Sequence, residues 1–268
     1  MKKLYLTIDD SPSLYTDEVT DFLAAEKIPA VLFARGALME EKEAFDRIVR
    51  AAQKGFIIGN HSYAHERTSL IGFESQTQQI LTTQTLIDRA YDEAGVAKPS
   101  RYFRFPHLDR GCGNAWVIDF NTVPDAERGA VQNLFWDGVR LETRESPTPA
   151  QLELKLRMQH WLIANGFQKL PVPEVTFPWW QKSELGQAVD SLITYSSADW
   201  MLLARHRGKW PYASFAELTR KIDTDPWLQN EESASIALMH DYGEEDSLTL
   251  FKNLVKHFLN QDFRFLTF

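Results

Sequence analysis

The sequence predicts an α/β fold built on parallel strands, because short apolar runs alternate with amphipathic helical patterns along the chain. Three strand–loop–helix units are expected within the first 105 residues, and the same order returns after residue 190. Acidic and imidazole side chains stand where the predicted strands end. Barrel enzymes place their catalytic groups at such strand ends, so we expect one site there.

The individual elements are defined by the spacing of their apolar residues. The predicted strands are 4–8, 30–33, 56–58, 102–105, 192–195, 236–239 and 263–268. The predicted helices are 16–26, 41–54, 75–94, 150–165 and 248–258. Residues 112–147 contain turn-forming residues and no long periodic run. In the helix 150–165 we expect Leu152, Leu156 and Ile163 along the apolar side.

Composition and charge restrict the classes of function. The net charge of −8 argues against a nucleic-acid partner, because phosphate binding needs a basic face. The single cysteine, Cys112, excludes an intrachain disulfide and a cysteine-rich metal site. The first apolar run ends at Asp9 and is too short for a signal peptide or a membrane span. We therefore expect a cytoplasmic protein, with export of a longer precursor as the alternative; the oligomeric state is not specified.

Two segments carry the residue types of a metal site. The first ends a predicted strand on the adjacent carboxylates of Asp9 and Asp10, and the second follows another strand with the imidazoles of His61 and His65. One carboxylate and two imidazoles make three N/O ligands with an open position, as in catalytic zinc sites. The spare carboxylate stands where a general base is needed.

The local geometry of both segments can be predicted. Adjacent strand residues point to opposite faces, so both aspartates can face one ion only if the chain turns, and we assign that turn to Ser11 and Pro12. His61 and His65 are four residues apart, and on a helical turn this spacing would put both rings on one side.

Two further blocks make the pattern specific, RFPH at 104–107 and IALMHD at 236–241. In order and spacing the four blocks resemble the polysaccharide deacetylase family (carbohydrate esterase family 4, the NodB homology domain), whose motifs are TFDDGP, H[ST]xxH, RxP[FY] and LxH. The resemblance covers residues 4–268 and is less recognisable over 112–190. The chain departs from the motifs at Ser11, where the family has glycine, and at His107, where it has an aromatic residue.

The resemblance implies a distorted (β/α) barrel forming a single domain over 1–268, with an insertion at about 112–190. The implied cofactor is a divalent metal ion, zinc first, with cobalt, manganese or nickel as alternatives. Its implied ligands are Asp10, His61 and His65. The implied catalytic groups are Asp9 as base, Arg104 as its partner, His240 as general acid and Asp199 as the partner of His240.

The resemblance also implies which residues contact the substrate and which residue pairs with His240. The backbone N–H of His107 matches the oxyanion donor, and Leu238 matches the position that lines the acetyl pocket. Asp199 stands in SSADW, where the family has DxxDW, so Asp137 and Glu174 stay open as rival partners of His240. Trp200 in the same block is a candidate sugar-binding residue.

The implied activity is metal-dependent removal of N-acetyl groups from an amino-sugar polymer or oligomer of the chitooligosaccharide or peptidoglycan type. The alternatives are a related C–N hydrolase acting on a small cyclic amide or formamide, and a carbohydrate-binding pseudoenzyme. Large aromatic residues are usually buried. For the pair Trp179–Trp180 in the insertion we nevertheless set the hypothesis that it stacks on a neighbouring sugar.

Overall fold

The computed structural model describes residues 1–136 and 146–268. Its strands are parallel and form one sheet in the order β3-β2-β1-β5-β4, with β6 also pairing with β1. The strands are β1 (Lys3–Ser11), β2 (Ala30–Ala34), β3 (Ile57–Asn60), β4 (Tyr195–Ser196), β5 (Ser235–His240) and β6 (Arg264–Phe265). The predicted α/β class with parallel strands is confirmed.

The regular strands leave the sheet open between β3 and β4, and single backbone hydrogen bonds span this gap. The amide of Asn60 donates to Tyr102 (2.8 Å) and that of Ser191 donates to Phe103 (2.7 Å). The amide of Thr194 then donates to Ile236 in β5 (3.1 Å). The predicted strand 102–105 is therefore present only as isolated bridges, and it stops where Pro106 has no N–H to donate.

The helices pack on both faces of the sheet. They are α1 (Thr16–Ala25), α2 (Lys42–Gln53), α3 (Thr68–Ala94), α4 (Asp125–Trp136), α5 (Pro149–Ala164), α6 (Pro178–Lys182), α7 (Glu184–Gln187), α8 (Phe215–Thr224) and α9 (Ser247–Asn260). The sequence did not predict α4, α6, α7 or α8. The predicted start of α3 was seven residues late, because Gly72 at φ +77° breaks the helical pattern near its beginning. None of the helices in the described part of the chain has the length and apolarity of a membrane span.

Side chains alternate between the two faces of the sheet along β1, and this alternation decides which of them point inward. Leu4, Leu6 and Ile8 point outward and pack with the flanking helices. Tyr5 points inward and packs in a second core with residues of the middle region. Since side chains alternate along a strand, Asp9 shares the inner face with Tyr5.

Two predictions about the middle region are wrong. Trp179 and Trp180 are only 2% and 5% exposed and pack with Phe177 and Trp227 in the inner core, so they do not form a sugar platform. The expected apolar side of α5 faces outward, with Leu152, Leu156 and Ile163 exposed by 45%, 55% and 61%.

Helix α5 instead buries Met158 and Leu162. These residues are also four apart, so periodicity alone offered two candidate faces. That residues 112–190 form an insertion in a single domain stays a prediction.

Candidate active site

The inner face of the sheet carries two of the predicted catalytic residues to the same place. Asp9 at the end of β1 is the register partner of His240 at the end of β5. Leu238 precedes His240 by two residues and is buried on the same inner face. Parallel neighbouring strands therefore bring these blocks together although they are more than 200 residues apart in the sequence.

Asp10 reaches the same side as Asp9 because the strand is irregular at this residue. Asp10 has φ +68°, and the register of β1 against β2 shifts between Asp9 and Ser11. A bulge of this kind re-aims a side chain. The turn that we assigned to Ser11 and Pro12 thus occurs one residue earlier, at Asp10 itself.

His61 and His65 lie in a loop and not on a helical turn. Ser62 and His65 both have positive φ, +62° and +59°, and the two imidazole centroids are 5.1 Å apart. The loop is braced by Asn60, whose Oδ1 accepts from the amide of Ser62, and by Gln79, whose Oε1 accepts from the amide of Ala64. The predicted helical turn is wrong, but the two imidazole rings converge as predicted.

Asp10, His61 and His65 form a potential metal site, with one ligand atom from each lying within 4.8 Å of the others. Oδ1 of Asp10 is buried, lies 3.2 Å from Nε2 of His65 and accepts no hydrogen bond within the described residues. Burial, together with His61 and His107 nearby, lowers the pKa of His65 far below its ordinary value.

The imidazole of His65 is therefore neutral at pH 7, the form that binds metal. Nε2 of His65 and a buried oxygen of Asp10 that accepts no hydrogen bond within the described residues lie side by side. This donor set fits a divalent cation.

Arg104 is completely buried and holds Asp9 in place. Its Nη1 donates to Oδ1 of Asp9 and to the hydroxyl of Thr7, both at 2.8 Å, and its Nε donates to the carbonyl of Ser191 at 2.7 Å. Nη2 has no partner within the described residues, so the contact with Asp9 is single rather than bidentate. The guanidinium also lies over the ring of Phe33 at 4.4 Å. Its contacts fix the position of the Asp9 carboxylate.

Asp199 contacts His240 through both carboxylate oxygens. Oδ1 lies 2.7 Å from Nδ1 of the imidazole, and Oδ2 accepts from the backbone N–H of His240 at 2.9 Å. Of the rival partners, Glu174 pairs with Lys3 at the beginning of β1, at the opposite end of the sheet, and Asp137 lies outside the described residues.

Asp199 also affects the protonation state of His240. Burial disfavours the imidazolium, but the Asp199 carboxylate, together with smaller effects of Asp10 and Asp9, outweighs burial and raises the pKa of His240 to about 9. His240 therefore carries a proton at neutral pH. Its ring stacks on that of Tyr242, with centroids 5.0 Å apart.

One cavity of about 890 Å³ is lined by Asp9, by the three potential metal ligands and by His240, and its wall also includes Trp200, Leu238 and His107. Trp200 packs edge-on against Trp210, with centroids 5.1 Å apart. His107 has φ +55°, and its ring lies 4.4 Å from that of His65. All ten residues predicted for the site are therefore brought to one cavity or to its immediate support.

The structure adds residues that the sequence reasoning missed. The cavity wall also contains Arg35, Arg67, Arg205, Trp210 and Tyr242. Arg35 directly follows β2 and Tyr242 follows β5 by two residues, so the strand-end rule that found Asp9 could have found both. Arg67 and Trp210 carry no comparable sequence pattern.

Comparison with known proteins tests the resemblance to polysaccharide deacetylases. A family model for polysaccharide deacetylases matches residues 1–114, the stretch that carries the first three motif blocks. The match covers less than half of the chain. The predicted resemblance to this family is confirmed.

Relatives of known name are enzymes of this family. The chain is 35% identical to a peptidoglycan-N-acetylglucosamine deacetylase of Bacillus cereus over 143 residues, 52% of this chain and 48% of that protein. It is 33% identical to a chitooligosaccharide deacetylase of Sinorhizobium fredii over 105 residues, 39% of this chain and 46% of that protein. The matched part thus spans about half the length of each relative.

The fold is that of solved polysaccharide deacetylases. The crystal structure of a polysaccharide deacetylase from Bacillus cereus superposes with a TM-score of 0.56 over 100% of this chain and 92% of that chain. The sequence identity in this superposition is 18%, so the likeness establishes the fold alone.

Proposed function

We propose that the protein is a metal-dependent hydrolase that removes N-acetyl groups from an amino-sugar polymer or oligomer, with zinc as the metal. The observation that carries this proposal is that two side-chain pairs and one triad of potential metal ligands meet at one cavity. Arg104 holds Asp9, Asp199 holds His240, and Asp10 faces the imidazoles of His61 and His65. The names of the relatives support an N-acetylated sugar as the substrate.

Asp9 is the general base in this proposal. Its Oδ1 is occupied by Arg104, while Oδ2 lies 3.5 Å from Nε2 of His61 and points toward the ligand triad. Asp9 therefore takes the proton of the attacking water at Oδ2, beside the ligand set. A positioned base of this kind contributes roughly 10²–10⁴-fold to the rate.

His240 is the general acid. Its Nδ1 is held by Asp199, which leaves Nε2 to donate the proton to the departing nitrogen. The group is protonated at neutral pH because its pKa is raised to about 9. Base and acid lie on neighbouring strands in register, so they approach the amide from two sides of the ligand set.

Asp10, His61 and His65 would hold the metal. A divalent ion bound there supplies Lewis-acid chemistry, polarising the amide carbonyl and making water a stronger nucleophile at neutral pH. Leu238 gives the acetyl methyl an apolar wall. The backbone N–H of His107 is the proposed donor to the oxygen that becomes negative.

The cavity supports a sugar rather than a formamide or a small cyclic amide. Its volume of about 890 Å³ lies in the upper part of the range of roughly 300–1,000 Å³ found for ligand sites. Trp200, Trp210 and Tyr242 give one wall an aromatic surface, on which sugar rings commonly stack.

The test is a mass-spectrometric screen for loss of acetyl groups. Purified protein loaded with zinc is incubated with N-acetylglucosamine oligomers, peptidoglycan fragments, formamides and cyclic amides. We expect acetyl loss from the oligosaccharides. Hydrolysis of only the small amides would establish the alternative C–N hydrolase, and binding of the sugars with no hydrolysis would establish a pseudoenzyme.

A further inference from the structure

The two sides of the cavity differ in chemistry. The side next to β4 and β5 is aromatic, with Trp200 and Tyr242. The opposite side is cationic. Arg35 follows the end of β2, and Arg67 follows the loop that carries His61 and His65.

Among the residues that the structure describes, Arg67 has no acidic partner. Its side chain forms no ion pair or hydrogen bond within residues 1–136 and 146–268, and its Nη1 is buried without an acceptor. Arg35 is in a similar position, because its Nε is buried without an acceptor and its Nη1 lies 3.6 Å from Asp10. That separation is longer than a hydrogen bond.

The other arginines of the cavity wall are neutralised by the protein itself. Arg47 pairs with Glu43 at 2.8 Å, and Arg205 pairs with Glu244. The uncompensated charge is therefore specific to Arg67 and, in part, to Arg35.

The carboxylates that the described residues contribute to the cavity wall have other partners and do not compensate this charge. Asp9 is held by Arg104, and Asp241 accepts from the hydroxyls of Ser13 and Thr16. Glu41 caps the beginning of α2 by accepting from two backbone amides. Asp10 belongs to the ligand triad.

A partly buried guanidinium without a counter-charge is unfavourable. In a chain of net charge −8, a cation left unpaired at the mouth of a cavity is not explained by composition. An anionic group on the ligand would satisfy it, since arginine is well suited to binding carboxylates and phosphates.

We infer that the cavity takes an N-acetylated sugar that also carries an acidic group, and that Arg67, supported by Arg35, binds this acid. The inference rests on the proposed function and narrows its substrate class. Arg67 follows His65 by two residues, so the acid would lie close to the acetylated nitrogen, on the same sugar or on the next one. Its chemistry is that of a carboxylate or a phosphate monoester.

The test compares three oligosaccharides of equal length. One is the neutral N-acetylglucosamine oligomer, one alternates N-acetylglucosamine with N-acetylmuramic acid and so carries carboxylates, and one carries a terminal sugar phosphate. Acetate release gives kcat/KM for each with zinc-loaded enzyme. Calorimetry with the Asp9→Asn protein gives the affinities without consuming the ligand. We expect one acidic ligand to be preferred about tenfold over the neutral one, and the preferred ligand identifies the acid as carboxylate or phosphate.

Arg67→Gln should reduce the ratio of acidic to neutral kcat/KM, and of the corresponding affinities, by about tenfold, whereas Arg67→Lys should retain part of the preference. Arg157→Gln is the matched control, since it removes the same charge from an arginine that pairs with Glu74 and does not line the cavity. Its ratio should equal that of the wild type.

The two hypotheses fail in different ways. If the neutral oligomer is bound and hydrolysed as well as both acidic ones, or if Arg67→Gln leaves the ratios unchanged, the acid-binding role is wrong and the deacetylase function stands. If no acetate is released from any ligand, the proposed function is wrong. The calorimetric ratios then still decide whether Arg67 binds an acid.

Discussion

Nδ1 of His61 lies 2.9 Å from the backbone carbonyl oxygen of Arg104, while the side chain of the same Arg104 donates to Asp9. Because a carbonyl can only accept, Nδ1 carries the proton and Nε2 keeps its lone pair. One residue thus orients a metal ligand through its backbone and the proposed base through its side chain. Such outer contacts fix the tautomer and direction of a ligating histidine.

The division of roles within Arg104 predicts the effect of changing its side chain. Arg104→Met should lower kcat by about 100-fold, since the base loses its orientation. Metal content should be retained, because the contact with His61 uses the backbone. Elemental analysis and acetate release on the same sample measure both.

Arg101→Met is the control, since Arg101 is an exposed neighbour that pairs with Asp88. A folded Arg104→Met protein with wild-type kcat, or one without metal, would contradict the assignment.

Asp9 and Asp10 should respond differently when each is replaced by asparagine. Asp9→Asn should keep the metal and lose turnover by roughly 10²–10⁴-fold, because the base is removed. Asp10→Asn should lose the metal, because a ligand is removed. Metal titration followed by acetate-release assays separates the two, and the same phenotype in both variants would show that the roles are not divided as proposed.

The pH dependence of the rate should report the His240–Asp199 pair. A general acid acts only when protonated, so activity should be constant below the pKa of His240 and fall as pH rises past about 9. Asp199→Asn removes the carboxylate that raises this pKa. The alkaline limb should then move to lower pH, because burial alone lowers the pKa of an imidazole.

Rate profiles of the wild type and Asp199→Asn measure this shift. An alkaline limb that stays in place in Asp199→Asn, or that survives in His240→Ala, would assign the acid to another group.

Two tryptophans should respond differently to truncation. Trp180→Ala should reduce the free energy of unfolding by about 3–5 kcal/mol, because it leaves a cavity in the inner core. Trp200→Ala should instead weaken kcat/KM on a tetramer, by about 1 kcal/mol or fivefold, through lost stacking at the cavity wall. Urea unfolding and acetate release distinguish them. Equal effects on stability would mean that Trp200 is a core residue as well.

The sequence predicted those features that depend on local periodicity and on strand ends. The alternation of side chains along β1 places Asp9 on the inner face of the sheet. The repeated transition from strand to loop predicted that Asp9, His61 and His240 lie at one site. The sequence left three acidic residues open as the partner of His240. Only the pairing of β4 with β5 places Asp199 beside His240.

The features that were missed depend on tertiary contacts. Asp10 at φ +68° and His65 at φ +59° adopt backbone conformations that non-glycine residues rarely take. No residue pattern in the sequence predicts these conformations. The burial of Trp180 and the exposed side of α5 were decided by what packs against them. That Arg67 has no partner among the described residues can be recognised only from its surroundings in the fold.

The central claim is that Asp10, His61 and His65 hold a metal ion on which amide hydrolysis depends. The most direct measurement is metal content and acetate release from an N-acetylglucosamine tetramer, determined on the same samples of wild-type and His61→Ala protein. We expect one divalent ion per chain and acetate release in the wild type, loss of both after chelation, recovery of both on adding zinc, and neither in His61→Ala. Acetate release that survives chelation, or stoichiometric metal in His61→Ala, would contradict the claim.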